Sequence, residues 1–162
     1  MEIFSKGMPA RLTDVPNGQC FAFMAADNLA IAIKIAYPQS PDSRILILTS
    51  TAGQPPALQS SRQATPSIVY KQPGMTIFTG AAPNRLRNGI GTPQPGHVMQ
   101  FDDDVYLGFL DEHIDPSAVS LKTGLINPNT LNGPAAVFET WQIGFDDDEK
   151  FDPVFTYQPA KE

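Results

Sequence analysis

Cysteine is nearly absent from this chain: Cys20 is the only one among 162 residues. No intramolecular disulfide can form and no thiolate cluster can hold zinc or an iron–sulfur centre, which leans toward a reducing, cytoplasmic setting. Histidine is almost as scarce. His97 and His113 are the only two, so a three-histidine catalytic metal site is excluded, while a mixture of His and carboxylate is not. Charged residues make up only 17% of the chain against 41% apolar, a balance unlike that of charge-driven disorder. Long apolar runs are also missing. The longest, FAFMAADNLAIAIKIAY at 21–37, is interrupted by Asp27 and Lys34, and the opening MEIFSKGMPARL lacks the apolar stretch of a signal peptide. A soluble protein without leader or membrane span is expected. No run of Lys and Arg is present to meet phosphates, and the net charge is −6, which argues against a nucleic-acid partner.

Turn residues, by contrast, are abundant. Sixteen prolines and twelve glycines are dispersed along the chain, too many for a helical bundle and too evenly spread for a disordered tail. A chain of this length suits one domain that buries about 70% of its unfolded surface; a two-part organisation with its boundary near 81–96 is the alternative. Charge is divided unevenly. Residues 1–96 hold eight Lys and Arg against four Asp and Glu, net +4, and residues 97–162 hold three against thirteen, net −10. Such halves can orient association between copies or with another protein. The plainer reading is that folding mixes both on one surface.

Two-residue alternation governs the apolar segments. In LAIAIKIAY at 29–37, Leu29, Ile31, Ile33 and Ile35 fall on one side and Ala30, Ala32, Lys34 and Ala36 on the other, the period of a strand. QCFAFM at 19–24 precedes it, and AADN at 25–28 reverses the chain into a hairpin. Further strands are read at 44–50, 68–71, 75–80, 97–101, 105–111, 119–124, 135–145 and 154–158, with Gln72-Pro73-Gly74 as a tight hairpin turn. About ten short strands, little helix and two long loops, 51–67 and 81–96, give an all-β antiparallel sandwich or barrel. The first loop reads as mobile or as a functional flap. A faint echo links the halves: FAFM, AADN, LAIAIKI and RILILTSTAG against VMQF, DDD, VYLGFLD and VSLKTGLI. Duplication would produce it, and so would any two antiparallel meanders.

The conspicuous polar motif is FDDD, at 101–104 and again at 145–148. Calcium loops of the EF-hand type need a fold-back glycine at the sixth position and a closing carboxylate at the twelfth. From Asp102 these are Leu107 and His113, and from Asp146 they are Phe151 and Tyr157. Solvated turns are therefore the first reading, and a metal site of another kind the second. His97 and His113 lie near acids, and Ser117, Ser120 or Cys20 could be imagined as a nucleophile, but spacing shows neither a base in reach nor an oxyanion site. Gly91-Thr-Pro-Gln-Pro-Gly96 imitates a phosphate loop, yet His97 and Val98 stand where Lys and Ser or Thr are needed. Arg85 and Arg87, at alternate positions, can present two guanidinium groups to one anion or acidic neighbour. Trp141, Ile143 and Phe145 share a face with Val137 and Glu139 and read as core, so the exposed aromatic strip of a carbohydrate-binding module is not seen.

The expectation is a non-enzymatic structural or interaction module that acts through its surface and self-associates, without cofactor, metal or catalytic residues, its partner being itself or another protein. Arg85, Arg87, His97, Asp102 and His113 are the candidate binding residues. The alternative is a small-molecule-binding β-barrel or hydrolase whose site is framed by loops 51–67 and 81–96.

Overall fold

The structure, a computed structural model, describes residues 7–49, 53–60, 63, 65–89, 91–127, 131–147 and 150–161. Ser50 of the third predicted strand, residues 51, 52, 61, 62 and 64 of the first predicted loop, Ile90 of the second, and Asp148 of the second acid triplet lie outside them. The described residues form fifteen strands and one turn of 3-10 helix at Leu12–Asp14. The strands are β1 Met8–Ala10, β2 Cys20–Ala25, β3 Asn28–Ala36, β4 Ser43–Ile47, β5 Ala57–Leu58, β6 Val69–Lys71, β7 Met75–Phe78, β8 Arg85–Arg87, β9 Val98–Gln100, β10 Val105–Leu110, β11 Pro116–Ser120, β12 Ile126–Asn127, β13 Ala135–Phe138, β14 Trp141–Asp147 and β15 Lys150–Tyr157. Twelve belong to one sheet, and β15, β14 and β7 form a second. The all-β expectation holds. Among the described residues no helix is long and apolar enough to cross a membrane.

The two halves of the chain carry the same seven-strand pairing scheme. In the first, β1 pairs with β6, β6 with β2, β2 with β3, β3 with β4 and β4 with β5. In the second, β8 pairs with β13, β13 with β9, β9 with β10, β10 with β11 and β11 with β12. The fifth strands are exchanged: Ala57 of β5 lies parallel to Leu110 at the end of β10, and Leu125, just before β12, lies parallel to Ala36 at the end of β3. The seventh strands, β7 and β14, pair antiparallel with each other. Even loop hydrogen bonds recur. Gly18 donates to the Lys34 carbonyl as Gly96 donates to that of Gly108, and Gln19 to Pro16 as His97 to Gln94. The echo in the sequence thus coincides with a repeated pairing scheme, exchanged strands and loop bonds included. The exchange seams are single residue pairs rather than ladders.

The core follows the repeat. A shared central cluster takes Ile31, Ile33 and Ile35 from β3, Leu107 and Phe109 from β10, and Met75, Trp141, Ile143 and Phe145 from the smaller sheet, so both sheets bury their inner faces in one interior. Each unit adds an outer cluster, Phe21, Phe23, Ala32 and Val69 in the first and Met99, Ala118 and Val137 in the second. Alternation thus places β3 as read, and the β2–β3 hairpin forms with its register running from Cys20↔Ile33 to Ala25↔Asn28.

Lys34 is the exception on its face. It is buried, and its ammonium donates to the carbonyls of Leu12 (3.1 Å), Thr13 (3.4 Å) and Val15 (2.7 Å), which ties the 3-10 turn onto β3. In the second unit the matching position is Gly108, against which the Gln94 carbonyl sits so closely that a Cβ would collide with it. Lys34→Met keeps the length of the side chain and removes the donor, leaving three carbonyls to be resolvated. A loss of about 2–3 kcal/mol is expected, with exchange protection lost at the Asp14 and Val15 amides, which donate within the turn. Unchanged stability and protection would contradict this role.

Several readings are corrected. Residues 72–74 do not close a hairpin: β6 pairs with β1 and β2 while β7 pairs with β14, so the turn carries the chain from one sheet to the other. The segment 135–145 is not one strand. It breaks at Glu139–Thr140, and both Val137 and Phe138 are buried. The segment 119–124 is strand only to Ser120, β11 having begun at Pro116. Loop 51–67 contains β5, and loop 81–96 contains β8. The second acid triplet begins inside β14, whose ladder runs through Asp147↔Lys150. The first is a turn as read: Asp104 Oδ1 accepts from the Val105 amide (2.7 Å) and the Ser120 hydroxyl (3.0 Å).

Candidate functional site

Strand β8, with the sequence Arg85-Leu86-Arg87, ends the larger sheet. Its only described neighbour is β13, in the register Arg87↔Ala135, Leu86↔Ala136 and Arg85↔Val137, and β13 in turn pairs Val137 with Met99 and Ala136 with Gln100. Alternation therefore sends Arg85 and Arg87 to one face and Leu86 to the other. On the arginine face, Arg85, Arg87 and His97 meet around a space of about 10 Å³ that Thr92 and Gln94 also line, roughly the room of one water molecule. Arg85 pairs with Glu139. Desolvation lowers the His97 pKa, Glu139 opposes it, and the two arginines push it further down, which favours the neutral imidazole.

Beside β8 lies an open groove of about 520 Å³, lined by Leu86, Arg87, Gln100, Asp102, Pro134 and Ala136 among others, so Arg87 borders both spaces. Leu86 is 78% exposed. Arg87 and Asp102 both line this groove, and among the described residues neither forms an ion pair. Three of the five sequence-predicted residues, Arg85, Arg87 and His97, are thus gathered, and Asp102 joins Arg87 in the larger groove. His113 is not brought in. It sits on the exposed turn between β10 and β11, where its amide and that of Asp115 donate to Asp111 Oδ1 (2.8 and 2.9 Å).

That turn carries strain. Ile114 has φ 65° and is 76% exposed, a left-handed conformation that costs an L-residue about 1–2 kcal/mol and suits a β-branched one least. Ile114→Asn is expected to raise stability by roughly 1 kcal/mol, read as a higher denaturation midpoint. A lower midpoint would contradict the strain.

Two of the imagined nucleophiles are held in structural roles. Cys20 is buried in the central cluster, and burial pushes its thiol up to about 12. The Ser120 hydroxyl is engaged by Asp104. Among the described residues no three His, Cys, Asp or Glu side chains gather to hold a metal ion. Compared with known proteins, the chain matches no family model, no curated protein and no solved structure. Sequence reasoning missed Leu86, because one apolar residue between two arginines gives no pattern. The repeat supplies the signal that could have found it: β8 occupies the place of β1, and β1 carries Pro9.

Proposed function

We propose that the chain is a non-enzymatic interaction module that pairs with a second copy of itself through the groove beside β8. The observation that carries this reading is the placement of Arg87 and Asp102, charges of opposite sign that form no ion pair among the described residues, in one groove beside the exposed Leu86. In a two-fold pair the same surface serves both copies, so Arg87 of one meets Asp102 of the other twice over, with the Leu86 side chains desolvated between them. Comparison of the two units supports the choice. The edge strand β1 carries Pro9, which offers no amide and discourages pairing, whereas β8 has no proline. The opposed charges of the two halves enter differently from a simple dipole. Arg44 pairs with Glu112 and Arg85 with Glu139, so folding joins basic first-half residues to acidic second-half ones, and the groove sets the same combination side by side in Arg87 and Asp102.

Sedimentation equilibrium at low and high ionic strength tests the reading. A dimer that weakens as salt screens the paired charges is expected, and a monomer at every ionic strength and at high concentration would refute it.

A further inference from the structure

A second concavity of different chemistry lies on the smaller sheet. It has a volume of about 270 Å³ and is lined by Phe78, Thr140, Trp141, Gln142, Thr156 and Gln158 among others. Among the described residues none that lines it is ionisable, in a chain that holds 17 acids. The polar groups are hydroxyls and amides, donors and acceptors at once. They are positioned by the sheet: Gln142 opposes Thr156 on β15 and Phe78 on β7, and Gln142 Nε2 donates to Thr156 Oγ1 (3.2 Å).

Phe78 supplies the apolar component. It is 46% exposed, yet its ring is held against Phe151 with centroids 4.9 Å apart and planes 30° apart. Phe151 reaches it across β14 over Gly144, where any Cβ would strike the Phe151 ring and the Asp152 carbonyl. The missing side chain of Gly144 is therefore what lets the two rings form a platform on the outer face. The sequence placed its aromatics in the core because Trp141, Ile143 and Phe145 point inward; the exposed ring comes from β7 instead.

From this juxtaposition we propose that the groove binds a neutral carbohydrate. A sugar offers an apolar C–H face to stack on an aromatic ring and a rim of hydroxyls for amide and hydroxyl partners, and the described lining residues supply no counterion for an acidic one. Binding of the intact protein to an array of neutral, sialylated and sulfated glycans is the first readout, followed by titration calorimetry with the neutral glycan that gives the strongest signal. Phe78→Ala and Gln158→Ala are each expected to weaken binding by about tenfold or more, with circular dichroism unchanged. Leu86→Asp, in the other groove, leaves this binding intact and so separates it from self-association. An array with no neutral-glycan signal, binding confined to acidic glycans, or affinity unchanged in both groove variants would overturn the assignment.

Discussion

Trp141→Ala is expected to lower the stability of the protein by about 3–5 kcal/mol, a fall in melting temperature of roughly 10 °C or more for a chain of this size. The side chain is 2% exposed and lies where three parts of the structure meet. Its ring stacks on Tyr157 of β15 with centroids 4.9 Å apart and planes 18° apart, and lies 6.1 Å from Phe155. Its indole Nε1 donates to the Gly96 carbonyl at 2.8 Å, which fastens the smaller sheet to the turn that opens β9. Gly96 has φ +84°, and a Cβ there would run into the Tyr157 ring. Truncation therefore leaves a cavity and an unpaired buried carbonyl together. Trp141→Phe separates the two effects, keeping most of the volume while removing the donor, and should cost about 1–3 kcal/mol. Denaturant unfolding measures both. If the phenylalanine variant lost as much as the alanine one, the hydrogen bond rather than packing would dominate. If neither lost stability, the sheet-joining role would be wrong.

The second large effect concerns association. Arg87→Asp places acids at both charged positions of the groove, and Asp102→Arg places bases at both, so either change sets like charges against each other twice in a two-fold pair. Each variant is expected to weaken self-association by more than about a hundredfold, close to 3 kcal/mol, without altering the unfolding midpoint, since both residues are exposed and neither forms an ion pair within the described chain. Leu86→Asp should do the same by putting a carboxylate where an apolar side chain is buried on pairing. Dimers that tolerate all three changes would move the contact to another surface.

Much of the fold was legible because its long strands alternate large and small side chains, even where both faces are buried. β3 shows this most plainly: Ile31, Ile33 and Ile35 enter the central cluster, and even the polar Lys34 keeps its place in the alternation. The short strands were not legible. β1, β5 and β12 are two or three residues long, below the length at which a period can be seen, and they exist because neighbouring strands offer them a ladder. β8 hid for a further reason, since its one apolar residue faces solvent and Pro83, Asn84 and Gly89 mark its surroundings as loop. Gln72-Pro73-Gly74 shows the limit of turn chemistry, which fixes the local reversal and leaves the destination sheet to tertiary packing. The repeat was visible in outline, and Pro16-Asn17-Gly18-Gln19 beside Gln94-Pro95-Gly96-His97 could have strengthened it, because both glycines hold positive φ and donate to equivalent carbonyls.

The site was half legible on the same grounds. Alternation predicted that Arg85 and Arg87 would share a face, but the meeting with His97 depends on the β8–β13–β9 register, which local pattern does not encode. His113 lay close to acids in sequence and stayed on its turn. Phe78 and Gln142 drew no notice, since their pairing across β7 and β14 joins residues from opposite units.

Reciprocal pairing of Arg87 with Asp102 can be tested without reference to either charge alone, by sedimentation of an equimolar mixture of the Arg87→Asp and Asp102→Arg proteins. Each is expected to be monomeric by itself and the mixture to form a one-to-one dimer, because every acid then faces a base. A mixture that stays monomeric, or single variants that dimerise as the original chain does, would contradict the proposed interface.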